Sequence, residues 1–184
     1  MNEELNSLKR IGIVSILVMA VALVAVLAYG RLLFIDYLHV LSAAMWMGSN
    51  VFMGLIFYRL IKIMPQKDQL DISRRLLPLT LYFLPSVSLT TVITGFFLLI
   101  KVEAFVPLGV RLAVYAVAAM LLIISFAGYI PNSLYIYRGF RDGGFDGEKI
   151  VSRSLSNFRL CLYQTVIQIA MIGMMAYIVT VLLP

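Results

Sequence analysis

The chain has 184 residues, 62% of them hydrophobic and 13% charged, with a mean hydropathy of +0.98 and a formal net charge of +6. That is more apolar material than a soluble core of this size can use, so the composition excludes an ordinary soluble domain and points to an integral membrane protein. The basic residues stand between apolar runs and not on a polar domain, which reads as membrane topology and excludes nucleic acid as a partner.

Five runs carry no Asp, Glu, Lys or Arg: residues 11–29, 37–58, 76–100, 112–137 and 160–184. About 20 apolar residues at 1.5 Å each cross the hydrocarbon core, so each run is predicted to be a transmembrane helix. The expected fold is a single all-α domain over 1–184, a bundle of five spans in contact with the lipid bilayer. The first run follows Lys9 and Arg10 as a signal peptide would, but it is longer than a signal core and Glu3 and Glu4 precede it. It is read as a retained helix. Between spans 2 and 3, MPQKDQLDIS (64–73) is expected to lie at the surface with a short helix. Between spans 4 and 5, RGFRDGGFDGEK (138–149) is expected to be a flexible loop. Pro85 and Pro131 fall inside spans 3 and 4 and are expected to kink them.

Lys and Arg divide twelve against three between the two sides. Lys9 and Arg10, the segment after span 2 and the segment after span 4 share one side. Arg31, Lys101 and Arg111 stand on the other. The positive-inside rule then places the N-terminus in the cytoplasm and the C-terminus outside, in a multi-pass protein of the cell membrane.

Span 2 opens with YLHVLSAAMWMGSN (37–50), which holds the only histidine and the only tryptophan. Helical spacing puts His39, Ser42, Ala43, Trp46, Asn50 and Met53 on one face, and polar groups in hydrocarbon need protein partners. Span 3 answers with Ser86, Thr90 and Thr94. Span 4 offers Ser125, Gly128, Asn132 and Tyr135, and span 5 offers Asn157, Cys161, Gln164, Gln168, Met171 and Met175. The plain account of these stripes is helix–helix packing. The sharper account is a site near His39, with Trp46 and Asn50 in its wall and Lys101 and Arg111 at its mouth.

Much chemistry is excluded. There is no phosphate-binding glycine loop and no Cys-x-x-Cys pair, and zinc lacks ligands. Asp36 and His39 lack a nucleophile motif to complete a triad. The spans carry no mid-membrane charge of the kind a proton-coupled carrier uses. Three readings stay open. His39 is an axial ligand of haem b, with Arg111 and Lys101 suited to propionates and an electron-transfer or redox role. Alternatively, His39 with Met53, Met171 and Met175 handles copper, since imidazole and thioethers suit Cu(I). Or the chain is a non-catalytic subunit, held to copies of itself or to other membrane subunits, with His39 bonded in a helix interface. Whether it is an enzyme is left open.

The run LHVLSAAMWMG (38–48) resembles the signature helix of CopD-type (copper resistance D-like) membrane proteins and their relatives, with Leu-His-Val-Leu followed by Trp-x-Gly. TTVITGFFLLI (90–100) and GYIPNSLYIYR (128–138) are similar to the helices that follow in that family. More distantly the chain resembles HemJ-type haem-binding bundles, in which an early histidine is a ligand. The resemblance implies a metal or haem at His39. Where HemJ-type proteins carry a site lysine, Arg111 stands here, and a guanidinium does not deprotonate to ligate.

Overall fold

The computed structural model describes residues 2–142 and 146–182. Among these, every regular element is helical: α1 (Asn2–Tyr29), α2 (Leu32–Val51), α3 (Tyr58–Ile63), α4 (Gln66–Arg75), α5 (Leu84–Lys101), α6 (Leu108–Ile123), α7 (Ile130–Asp142) and α8 (Gly147–Tyr177). Four π-helical segments join or extend them: Phe52–Phe57, Leu79–Phe83, Ile124–Tyr129 and Ile178–Leu182. Five continuous helices are long and apolar enough to cross a membrane: Lys9–Tyr29, Leu32–Ile63, Leu79–Lys101, Leu108–Asp142 and Gly147–Leu182. Each helix continues past its apolar run into charged residues at one end or both, although the run 76–100 begins three residues before its helix, Leu79–Lys101.

The two prolines each follow a π-helical segment. Each lacks the N–H that would bond the carbonyl four residues earlier. Those acceptors, Leu81 and Ala127, both fall inside π segments, where the wider turn re-routes the ladder. Helix occupies most of the described part of 138–149, where the sequence predicts a loop. α7 continues to Asp142, residues 143–145 lie outside the described part, and α8 starts at Gly147. Asp146 caps α8 by accepting from the backbone N–H groups of Glu148 and Lys149. The expected surface helix in 64–73 is α4, which ends two residues later, at Arg75.

Between α1 and α2 the chain reverses in two residues, with Gly30 left-handed at φ 65°. α1 is the peripheral span, only 11% buried, resting on α2 and α5 and burying Met19 in the core. α2 and α5 form the most extensive helix pair, and α8 packs against α2, α6 and α7. The central core is built from Trp46, Met53, Leu84, Val87, Tyr129 and Phe158. A second cluster of Leu77, Ile136, Phe140 and Ile150 closes the end that carries α4. At the opposite end, which carries Glu103, Leu99, Val106, Val114 and Ile178 pack with Met171 and Met175 around them.

Candidate functional site

His39 sits about two turns into α2 and leans on α5. Its Nδ1 is 2.9 Å from the Thr91 carbonyl oxygen and 3.2 Å from Thr94 Oγ1. A carbonyl can only accept, so Nδ1 carries the hydrogen and the lone pair of the neutral ring is on Nε2. The Thr94 hydroxyl gives its own hydrogen back to its helix, to Thr90 O at 2.7 Å or Thr91 O at 3.1 Å, which leaves its oxygen free to accept from the imidazole. Thr91 in turn reaches Ser42 Oγ at 2.9 Å. The ring lies flat enough on α5 that a Cβ at Gly95 would come within 2.8 Å of His39 Cε1. Glycine at 95 is thus the seat of the imidazole, a role that the Thr-Gly step of span 3 does not announce in the sequence.

His39 lines a partly open cavity of about 270 Å³ between α2, α5, α6 and α8. Its walls are almost wholly apolar, with Trp46, Phe96, Tyr115, Leu121, Met171 and Met175 among them. The cavity runs from His39 to Met47 along α2 and from Gln168 to Met175 along α8, a height of about 10–12 Å at helical rise. No hydrogen bond engages His39 Nε2 among the described residues, so the cavity meets a ring nitrogen with a free lone pair.

Deeper in the bundle stands a polar cluster centred on Gln164, which is completely buried. Gln164 Nε2 donates to the Leu121 carbonyl at 2.8 Å and to Ser125 Oγ at 2.9 Å. Its Oε1 accepts from Tyr129 OH at 2.8 Å, Asn50 Nδ2 at 3.0 Å and Trp46 Nε1 at 3.3 Å. Leu121 O can only accept and the indole N–H can only donate, so the Gln164 amide has one orientation. That orientation sets Asn50, whose Nδ2 must face Gln164 and therefore also donates to Gln168 Oε1 at 3.1 Å. Gln168 is set last. Its oxygen faces Asn50, which leaves its NH2 group with no partner among the described residues, on a side chain that lines the cavity.

Against known proteins, no family model, no curated protein and no solved structure matches this chain.

The structure therefore brings His39, Trp46, Met171 and Met175 to one cavity. Asn50 is not in its wall; it lies beneath, between the two glutamines. Met53 is separate from it. Fourteen residues beyond His39 and about 21 Å along the helix, its side chain is fully buried in the central core, so the two cannot share a metal. Lys101 is exposed at the end of α5 and does not line the cavity. Arg111 stands one turn beyond Val114 and Tyr115 on the same face of α6, so it overlooks the cavity without lining it. Its Nη1 donates to Glu103 Oε2 at 3.0 Å, while its Nε is buried and has no partner among the described residues. Among the described residues no three His, Cys, Asp or Glu side chains gather as a metal-holding group. A bound metal would therefore rest on His39 with softer donors. Sequence reasoning missed Tyr129, fully buried and bonded to Gln164, because an isolated tyrosine in an apolar run has no periodic signature.

Proposed function

We propose that this chain is a multi-pass protein of the cell membrane, N-terminus in the cytoplasm and C-terminus outside, that binds haem b in the outer half of the bundle and serves electron transfer. The observation that carries the reading is the state of His39: Nδ1–H is held by a backbone carbonyl, and Nε2 is left free at an apolar cavity. A carbonyl that accepts from the far ring nitrogen is the usual support of a ligating imidazole, because it sets the tautomer and raises basicity. Met171 and Met175 line the same cavity and would offer a thioether to the iron. Arg111, with its unpartnered Nε above the cavity, suits a propionate. When bound, haem supplies one-electron chemistry; the residues orient it and exclude water from it.

A second reading has one observation in its favour. His39, Met171 and Met175 together form a soft nitrogen-and-sulfur set of the kind that holds Cu(I).

The visible spectrum of protein purified in mild detergent, oxidised and then dithionite-reduced, separates these readings. Haem b gives a Soret peak with sharp reduced bands, lost in His39→Ala and unchanged in Met53→Leu. Arg111→Gln is expected to hold haem more weakly. A colourless protein made with ample haem overturns the haem reading. Copper in the metal analysis then favours the second reading. Absence of metal, with co-purifying membrane subunits, favours a structural subunit.

A further inference from the structure

We propose that the inner end of the cavity binds the head group of a membrane quinone, with Gln168 Nε2 donating a hydrogen bond to a quinone carbonyl. The inference does not rest on haem binding at His39: a cavity of about 270 Å³ encloses one such group at a time, and the test uses protein made free of haem.

Three observations lead to it. The first is the orientation relay: Leu121 O and Trp46 Nε1–H set Gln164, Gln164 sets Asn50, and Asn50 sets Gln168. The relay ends with an amide NH2 that has no partner among the described residues, on a side chain 5% exposed that lines the cavity. An unmet donor in apolar surroundings is unfavourable, so the site is complete only with an acceptor oxygen opposite it.

The second is depth. Gln168 stands nine residues past Arg159 on α8, about 13 Å at helical rise, in a bilayer whose hydrocarbon core is about 30 Å thick. It is near the midplane. The ester carbonyls and headgroups of lipids stay at the interface and do not reach it. A quinone carries carbonyl oxygens on an uncharged, lipid-soluble ring and reaches this depth.

The third is the wall around the donor. Trp46, Met47, Leu121, Leu122 and Ile172 offer flat apolar contact and no charge, which suits a neutral ring and rejects an anionic head. At about 270 Å³ the cavity encloses a head group, and Ile172, 52% exposed, marks the side where an isoprenoid tail passes into lipid.

Trp46 is the only tryptophan and borders the site, so its fluorescence reports occupancy. The probe is a short-tailed 1,4-naphthoquinone titrated into protein in lipid nanodiscs. The proposal expects saturable quenching, weakened about tenfold or more in Gln168→Leu, as removal of one buried hydrogen bond to a ligand implies. The Soret band is read on protein made with haem and the quinone titration on haem-free protein, so the two proposals fail separately. Infrared spectroscopy of the carbonyl-labelled probe on wild-type protein covers the case of a variant that does not fold. The proposal expects one carbonyl stretch lowered relative to the probe in empty nanodiscs. Non-saturable quenching, equal affinity in a folded Gln168→Leu, or an unshifted stretch each overturns it, leaving water as the partner of Gln168.

Discussion

Gln164 and Gln168 stand one turn apart on α8 and meet the same asparagine, yet they do different work. Gln164, in the middle of the bundle, makes five hydrogen bonds and has nothing left to offer. Gln168, at the cavity, accepts one hydrogen bond and keeps its donors free. A similar contrast runs between the two halves of the protein, with one exception: Ser154 Oγ, on the α4 side, is buried with no partner among the described residues. Toward α4 the polar side chains close on each other, as where Asn157 donates to Ser133 and accepts from Asn132. Toward Glu103 three atoms have no partner among the described residues: His39 Nε2, Gln168 Nε2 and Arg111 Nε. A satisfied polar group inside a membrane bundle is glue, whereas an unsatisfied one at a cavity marks a ligand.

Substitution can break that contrast. Gln164→Leu leaves Trp46 Nε1 without its acceptor and removes one partner each from Tyr129 OH, Asn50 Nδ2, Ser125 Oγ and the Leu121 carbonyl. It is expected to cost roughly 3 kcal/mol or more and to lower the melting temperature in detergent most of all. Gly95→Ala drives a methyl into the imidazole and should pull His39 Nδ1 from Thr91 O. A loss of about 1–3 kcal/mol is expected, together with loss of any chromophore, measured by melting and by absorbance. Gln168→Leu removes one bond, and Asn50 still has Gln164, so stability should move by less than about 1 kcal/mol. If it melts as low as Gln164→Leu, the division between glue and site is wrong.

The smallest effect belongs to Asp146. The backbone N–H and ammonium of Lys149 hold its carboxylate below the usual aspartate range. A lowered folded pKa means that the cap stabilises above the unfolded value, near about 3.9, and is lost as pH falls through the lower folded one. Asp146→Ala should therefore lower the melting temperature slightly at neutral pH and not at all in strong acid.

Much of the architecture was legible in residue order. Five charge-free runs of bilayer length set the number of spans, because hydrocarbon tolerates few charges and demands internal backbone bonding. Period-3.6 stripes correctly gathered Ser42, Trp46 and Asn50 on one face of α2, and Cys161, Gln164 and Gln168 on one face of α8. His39 stood out as the one imidazole of the chain. Only the tertiary structure decided which atoms were used up. Hydrogen-bond partners more than a hundred residues apart, such as Trp46 and Gln164, leave no trace in local periodicity. A face is wider than a cavity, which is why Met53 shared a stripe with His39 yet lies in the core. The tautomer of His39 and the orientation of Gln168 depend on carbonyls and amides brought close by helix packing, and no residue type encodes that alone.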